Sequence, residues 1–125
     1  MRENINRLIN AIKQQAEGFL LEAKEFYPFG TYINKKNEIV PVGVYLGNDY
    51  SPSLEIIDLL EKNFKDNIKK GECKIAAIAI DVVIKEKDVN HDAIELRFFV
   101  DGRESYKKYL KYEIKQKQVV FSDNK

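Results

Sequence analysis

The stretch Lys74 to Lys85, KIAAIAIDVVIK, constrains the fold more than any other part of the chain, because it is apolar throughout except for its ends and Asp81. A run of this length, rich in Ile and Val and bounded by Gly71 on one side and a polar stretch on the other, is expected to form a central strand. Strand alternation sorts Ala76, Ile78, Ile80, Val82 and Ile84 onto one face and Ile75, Ala77, Ala79, Asp81 and Val83 onto the other. The first set, bulkier and free of charge, is expected to face the core. The second is expected to be the less covered face.

The segments around this strand supply its partners. From Glu3 to Phe26, apolar residues at Ile5, Leu8, Ile9, Ile12, Ala16, Phe19, Leu20, Ala23 and Phe26 recur in steps of three and four, the signature of an amphipathic helix. Its polar face mixes Arg7, Lys13, Glu17 and Lys24, which suits a helix lying on a core rather than on an anionic membrane. Tyr27-Pro28-Phe29-Gly30 ends it. Thr31 to Ile33 and Ile39 to Tyr45 are expected as two strands around the polar turn Asn34 to Glu38, with Pro41 and Gly43 marking the second as a bulged or edge strand. Ser51-Pro52 reads as the start of a second helix, and Leu54, Ile57, Leu60, Phe64 and Ile68 carry it to a Gly71 cap.

After the central strand, a polar turn from Lys87 to Asn90 leads into Ala93 to Asp101, with Ile94, Leu96, Phe98 and Val100 alternating against Glu95, Arg97 and Phe99. Matching the two apolar sets pairs Ile84 with Ile94 and sets Asp81 opposite Arg97. The Asp101-Gly102 turn is expected to bring Phe98 opposite Tyr106. Residues 105–114 are expected as a strand, although Tyr106, Tyr109, Leu110 and Ile114 also fit a helix. Val119 to Phe121 adds a short last strand, and residues 122–125 are expected to fray.

The expected architecture is a single α+β domain over residues 1–125. Two helices pack on a mostly antiparallel sheet of five to six strands in the order α-β-β-α-β-β-β(-β). A chain of 125 residues can bury a sizeable core without a covalent staple. Twenty-one basic against twenty acidic residues leave a net charge of +1, so nothing draws the chain globally to nucleic acid or to anionic lipid. Cys73 is the only cysteine and His91 the only histidine, which excludes an internal disulfide and metal sites built on several Cys or His. Both are expected at strand ends, too far apart to act as a Cys-His pair. No phosphate-binding glycine pattern occurs. A cytoplasmic protein with no cofactor and no bound metal is the expectation.

Three groups of residues carry the candidate chemistry. Asp81 interrupts an apolar strand, and a buried acid needs a partner. Arg97 is the structural candidate, while Asp81 with Glu95 would form a carboxylate pair for acid-base work. The segment from Arg103 to Lys117 interleaves six basic residues with Tyr106, Tyr109 and Tyr112, a composition that fits either a solvated edge or a weak nucleic-acid surface. The most distinctive stretch is Phe26-Tyr27-Pro28-Phe29-Gly30. With Tyr45, Asp49 and Tyr50 nearby, its aromatics suit either core sealing or protein recognition.

The residues Glu25 to Gly30, Val42 to Tyr45, Gly47 to Ser53, Ala76 to Val82 and Asp92 to Glu95 resemble a family of small uncharacterised bacterial proteins that share the Phe-Tyr-Pro-Phe-Gly motif. That resemblance marks these positions as characteristic and implies no activity for them. The element order is also loosely similar to roadblock-type α/β domains, without a counterpart to their third helix.

The functional expectation is a non-enzymatic interaction module, one form of which is an immunity protein that neutralises a bacterial toxin. Its expected binding surface comprises Tyr27, Phe29, Tyr45, Asp49, Tyr50, Asp81, Arg97 and Phe99. A homodimer through Ala77, Ala79, Val83 and Phe99 is a related expectation. The alternative is a small hydrolase using Asp81 and neighbouring carboxylates, and the third reading is a weak nucleic-acid binder.

Overall fold

A computed structural model describes residues 2–43, 53–100 and 106–123. The order is α1 (Arg2–Ala23), β1 (Phe29–Asn34), β2 (Ile39–Val42), α2 (Ser53–Lys69), β3 (Cys73–Glu86), β4 (Val89–Val100), β5 (Tyr106–Lys115) and β6 (Gln118–Asp123). The strands form one antiparallel sheet in the order β2-β1-β3-β4-β5-β6, so the apolar run β3 is indeed internal. This is the expected α+β class. Residues 105–114 lie in a strand from Tyr106 onward, and Phe98 faces Tyr106 as expected. Ser122 and Asp123 pair with Lys111 and Leu110, so β6 runs into the tail expected to fray.

Each face of β3 carries its own helix. On one side, Leu8, Ile12, Ala16 and Leu20 of α1 pack with Ile75, Ala77, Ala79, Ile94, Leu96, Phe98 and Leu110. On the other, Ile56, Ile57, Leu60, Phe64 and Ile68 of α2 pack with Ala76, Ile78, Ile80 and Phe99. Helix α1 touches β1, β3 and β6, which requires the sheet to curl around it. Both sets of β3 residues are therefore core, and neither face is open over its first half. Ala77 and Ala79 are fully buried under α1, and Phe99 is buried under α2. The expected dimer surface of Ala77, Ala79, Val83 and Phe99 is thus divided between two covered faces, with only Val83 exposed.

The β3–β4 register differs from the expected one. Ile84 faces His91, Asp81 faces Ile94 and Arg97 faces Ile78. The reason lies in the turn, where only Lys87 and Asp88 separate the paired residues Glu86 and Val89. Both have positive φ, 50° and 65°, the geometry of a two-residue hairpin whose twist matches its strands. That turn pairs odd positions of β3 with even positions of β4. With a helix on each side, both parities bury apolar surface, so hydrophobic matching does not select between them.

The remaining boundaries follow local chemistry. Helix α2 ends in a Schellman cap: the Gly71 N–H donates to the Ile68 carbonyl and the Glu72 N–H to that of Asn67, with Gly71 at φ 77°. Helix α1 ends earlier than Phe26, because Lys24 takes φ 65° and turns the chain away after Ala23. In the β1–β2 turn the Asn34 side chain accepts the N–H groups of Lys36 and Glu38, both at 2.9 Å. Pro41 lies on the edge strand β2, where a missing N–H costs no ladder bond to a further strand. The expected helix start at Ser51-Pro52 and the Asp101-Gly102 turn lie outside the described residues.

Candidate functional site

The early end of α1 opens a cleft of about 570 Å³ beside the sheet. Residues 24–28 follow the helix end, and the Phe26 side chain meets Phe19 from the last turns of α1. Phe19, Phe26 and Phe29 form a cluster with ring centroids 5.2–6.3 Å apart. Phe29 is buried against the α1 core, whereas Phe19 is 44% and Tyr27 57% exposed. Glu22, Glu25, Pro28, Gly43 and Ser53 complete the walls, together with Asp81.

Asp81 reaches this cleft because it is the first residue of its β3 parity beyond the α1-covered Ala77 and Ala79. Its Oδ1 accepts the Tyr112 hydroxyl at 2.6 Å, and the Phe26 backbone amide lies near enough to favour its charged form. Phe26 thus lines the cleft with Asp81 while its ring packs on Phe29, which brings the aromatic cluster and the acid into one site. Burial raises the Asp81 pKa above the ordinary aspartate value. The Tyr112 bond and the Phe26 backbone amide oppose this, and the nearby charges of Asp92 and Glu25 reinforce it. Burial also raises the pKa of Tyr112, and donating to Asp81 raises it further. Tyr112 is thus a stable hydrogen-bond donor to a carboxylate that carries its charge at a cost.

The expected pairing of Asp81 with Arg97 is absent, and so is the carboxylate pair of Asp81 with Glu95. Adjacent strand positions of opposite parity put them on opposite faces, since Glu95 faces Ile80 across the ladder. There Arg97 Nε donates to Glu95 Oε2 at 2.6 Å and the Tyr109 hydroxyl to Oε1 at 3.0 Å. Glu95 is 8% exposed. Burial raises its pKa, but the bonds from Arg97 and Tyr109 and the Arg97 charge outweigh this, and the net direction is downward. This is a satisfied structural cluster. Lys111 beside it is ion-paired with Glu86, so part of the basic and tyrosine-rich segment is engaged within the protein.

Of the expected binding residues, the cleft brings together Tyr27, Phe29 and Asp81. Arg97 and Phe99 lie on the other side of the sheet, and Phe99 is buried. Tyr45, Asp49 and Tyr50 lie outside the described residues. Cys73 and His91 sit at opposite ends of β3, roughly 35 Å apart for a strand rising about 3.3 Å per residue, since His91 faces Ile84. Among the described residues, no group of three or more His, Cys, Asp and Glu is placed to hold a metal ion, and no helix is long and apolar enough to cross a membrane. Tyr112 is the site residue that sequence reasoning missed. Its signal was its parity with Leu110 and Ile114, which places it on the α1 side of the sheet.

No family model, curated protein or solved structure matches this chain.

Proposed function

We propose that the chain is a protein-recognition module whose docking site is the cleft at the end of α1. The observation that carries this reading is the exposure of Phe19 and Tyr27 at the rim of a concavity whose neighbouring aromatics are fixed. Exposed aromatic side chains on a held backbone offer large contact area at small entropic cost on binding. Phe26 and Phe29 hold one wall by ring contacts, and the bond from Tyr112 holds Asp81 at the floor. An immunity protein of bacterial origin, whose occupant is a segment of a toxin, is one specific form of this reading. Affinity capture from the source cells with wild type, Phe19→Ala and Tyr27→Ala tests it. The expected partner is retained by the wild type, lost by both variants, and bound directly when purified. A partner retained equally by all three would place recognition elsewhere.

A second reading is favoured by one specific observation, the raised carboxyl of Asp81 in a concave site. Such a group suits general acid-base chemistry in a small hydrolase. This reading requires turnover of an ester, amide or glycoside substrate that Asp81→Asn abolishes and Phe19→Ala does not.

A further inference from the structure

We propose that the occupant of the cleft presents a basic side chain, a lysine or arginine of the partner protein, with its cation against Asp81 and its methylenes along the aromatic wall. This rests on the recognition reading and adds the chemistry of the ligand. Three acids, Glu22, Glu25 and Asp81, line the cleft, and no lysine or arginine does among the described residues. The walls between those acids are aromatic. Aromatic faces attract cations, and the stem of a long basic side chain buries well on apolar surface while its head stays at a polar group. The carboxylate of Asp81 accepts a hydrogen bond from Tyr112 and lies near the Phe26 amide, and an ionised carboxylate has room for about four. The remaining capacity suits a donor arriving from the cleft.

The groups facing Asp81 point the same way. Glu25 precedes the Phe26 amide, and Asp92 lies on the neighbouring strand β4, opposite Val83; both repel its charge. Lys111, the nearby cation on β5, belongs to the opposite strand parity and is paired with Glu86. The positive charge that would relieve this repulsion is therefore not supplied at the cleft by the described residues around it. A ligand cation supplies it, and the ordinary consequence of such a cation is a fall in the Asp81 pKa on binding.

The test is an NMR titration of the isotope-labelled protein with short capped peptides, identical except at one central position that is Arg, Lys, norleucine or Glu. The expected result is movement of the Phe26, Tyr27 and Asp81 amides by the Arg and Lys peptides, with affinity about tenfold above the norleucine peptide. In Asp81→Asn, whose side chain still accepts from Tyr112, that preference is expected to disappear. Equal or tighter binding of the norleucine peptide at the same amides overturns the cationic ligand and leaves the recognition site standing. No movement of those amides by any peptide at millimolar concentration overturns both.

Discussion

Gly30 lies directly beneath the ring of Phe64: a Cβ built on Gly30 would stand 2.5 Å from Phe64 Cζ and 2.7 Å from Cε2. Neither contact can be met without movement, and the fully buried Phe64 ring has Tyr32 and Phe99 as neighbours. The glycine of the Phe-Tyr-Pro-Phe-Gly motif thus allows α2 to approach the sheet, while the preceding Phe29 points to the α1 side. One motif serves both cores.

Gly30→Ala is therefore expected to destabilise the fold by about 1–3 kcal/mol, the usual cost of overpacking a core. Denaturant unfolding measures it. In a Phe64→Leu background the same substitution is expected to cost less, because the collision is with the ring. Equal costs in the two backgrounds would show that the strain lies in the backbone.

Cys73 is buried, and its Sγ lies 3.5 Å from the Ile75 carbonyl as a weak donor. Burial pushes its pKa up to about 11, against the smaller effect of that bond. Since the thiolate is the reactive form, a disulfide reagent is expected to label Cys73 at the rate of unfolding and not at the rate of a surface thiol. Fast labelling of the native protein would contradict this burial.

Glu95 supplies a pH-dependent contribution of the opposite kind. Its folded pKa lies below the ordinary glutamate value, so the stability it brings is present above that ordinary value and is lost as pH falls through the folded one. Arg97→Ala is expected to cost roughly 2 kcal/mol at neutral pH, as for a hydrogen bond to a charged group. The difference from wild type is expected to shrink in acid, where Glu95 is protonated in both. A cost independent of pH would assign it to lost packing of the Arg97 stem.

The elements were legible because their signals are local. Helical spacing placed α1 and α2, Gly71 placed the cap, and apolar alternation paired Phe98 with Tyr106. The β3–β4 register was not legible, because Ile75 and Ile78 are both core residues and parity then carries no penalty. The deciding turn, Lys87-Asp88, lacks the Asn-Gly or Asp-Gly chemistry that announces its geometry. That one error propagated to the site by assigning Arg97 to Asp81. The actual partner of Asp81 was harder to see, since Tyr112 lies two strands away.

Asp81 and Tyr112 yield the last expectation, which concerns the energetic cost of keeping the cleft acidic. A carboxyl whose folded pKa is raised contributes stability that is fully present below its unfolded value, near 3.8, and is lost as pH rises through the folded value. Ionised Asp81 is thus a strained group at neutral pH. Asp81→Asn removes the charge and keeps an acceptor for Tyr112, so it is expected to be at least as stable as wild type at neutral pH. Below the unfolded value, where wild-type Asp81 is neutral as well, the difference is expected to vanish. Tyr112→Phe behaves oppositely: it withdraws a donor from the carboxylate, so its destabilisation is expected to grow as pH rises. Unfolding curves of the two variants across the acid range separate these slopes. A marked loss of stability in Asp81→Asn at neutral pH would show that the ionised carboxylate supports the fold, and would remove the argument that its charge awaits a ligand.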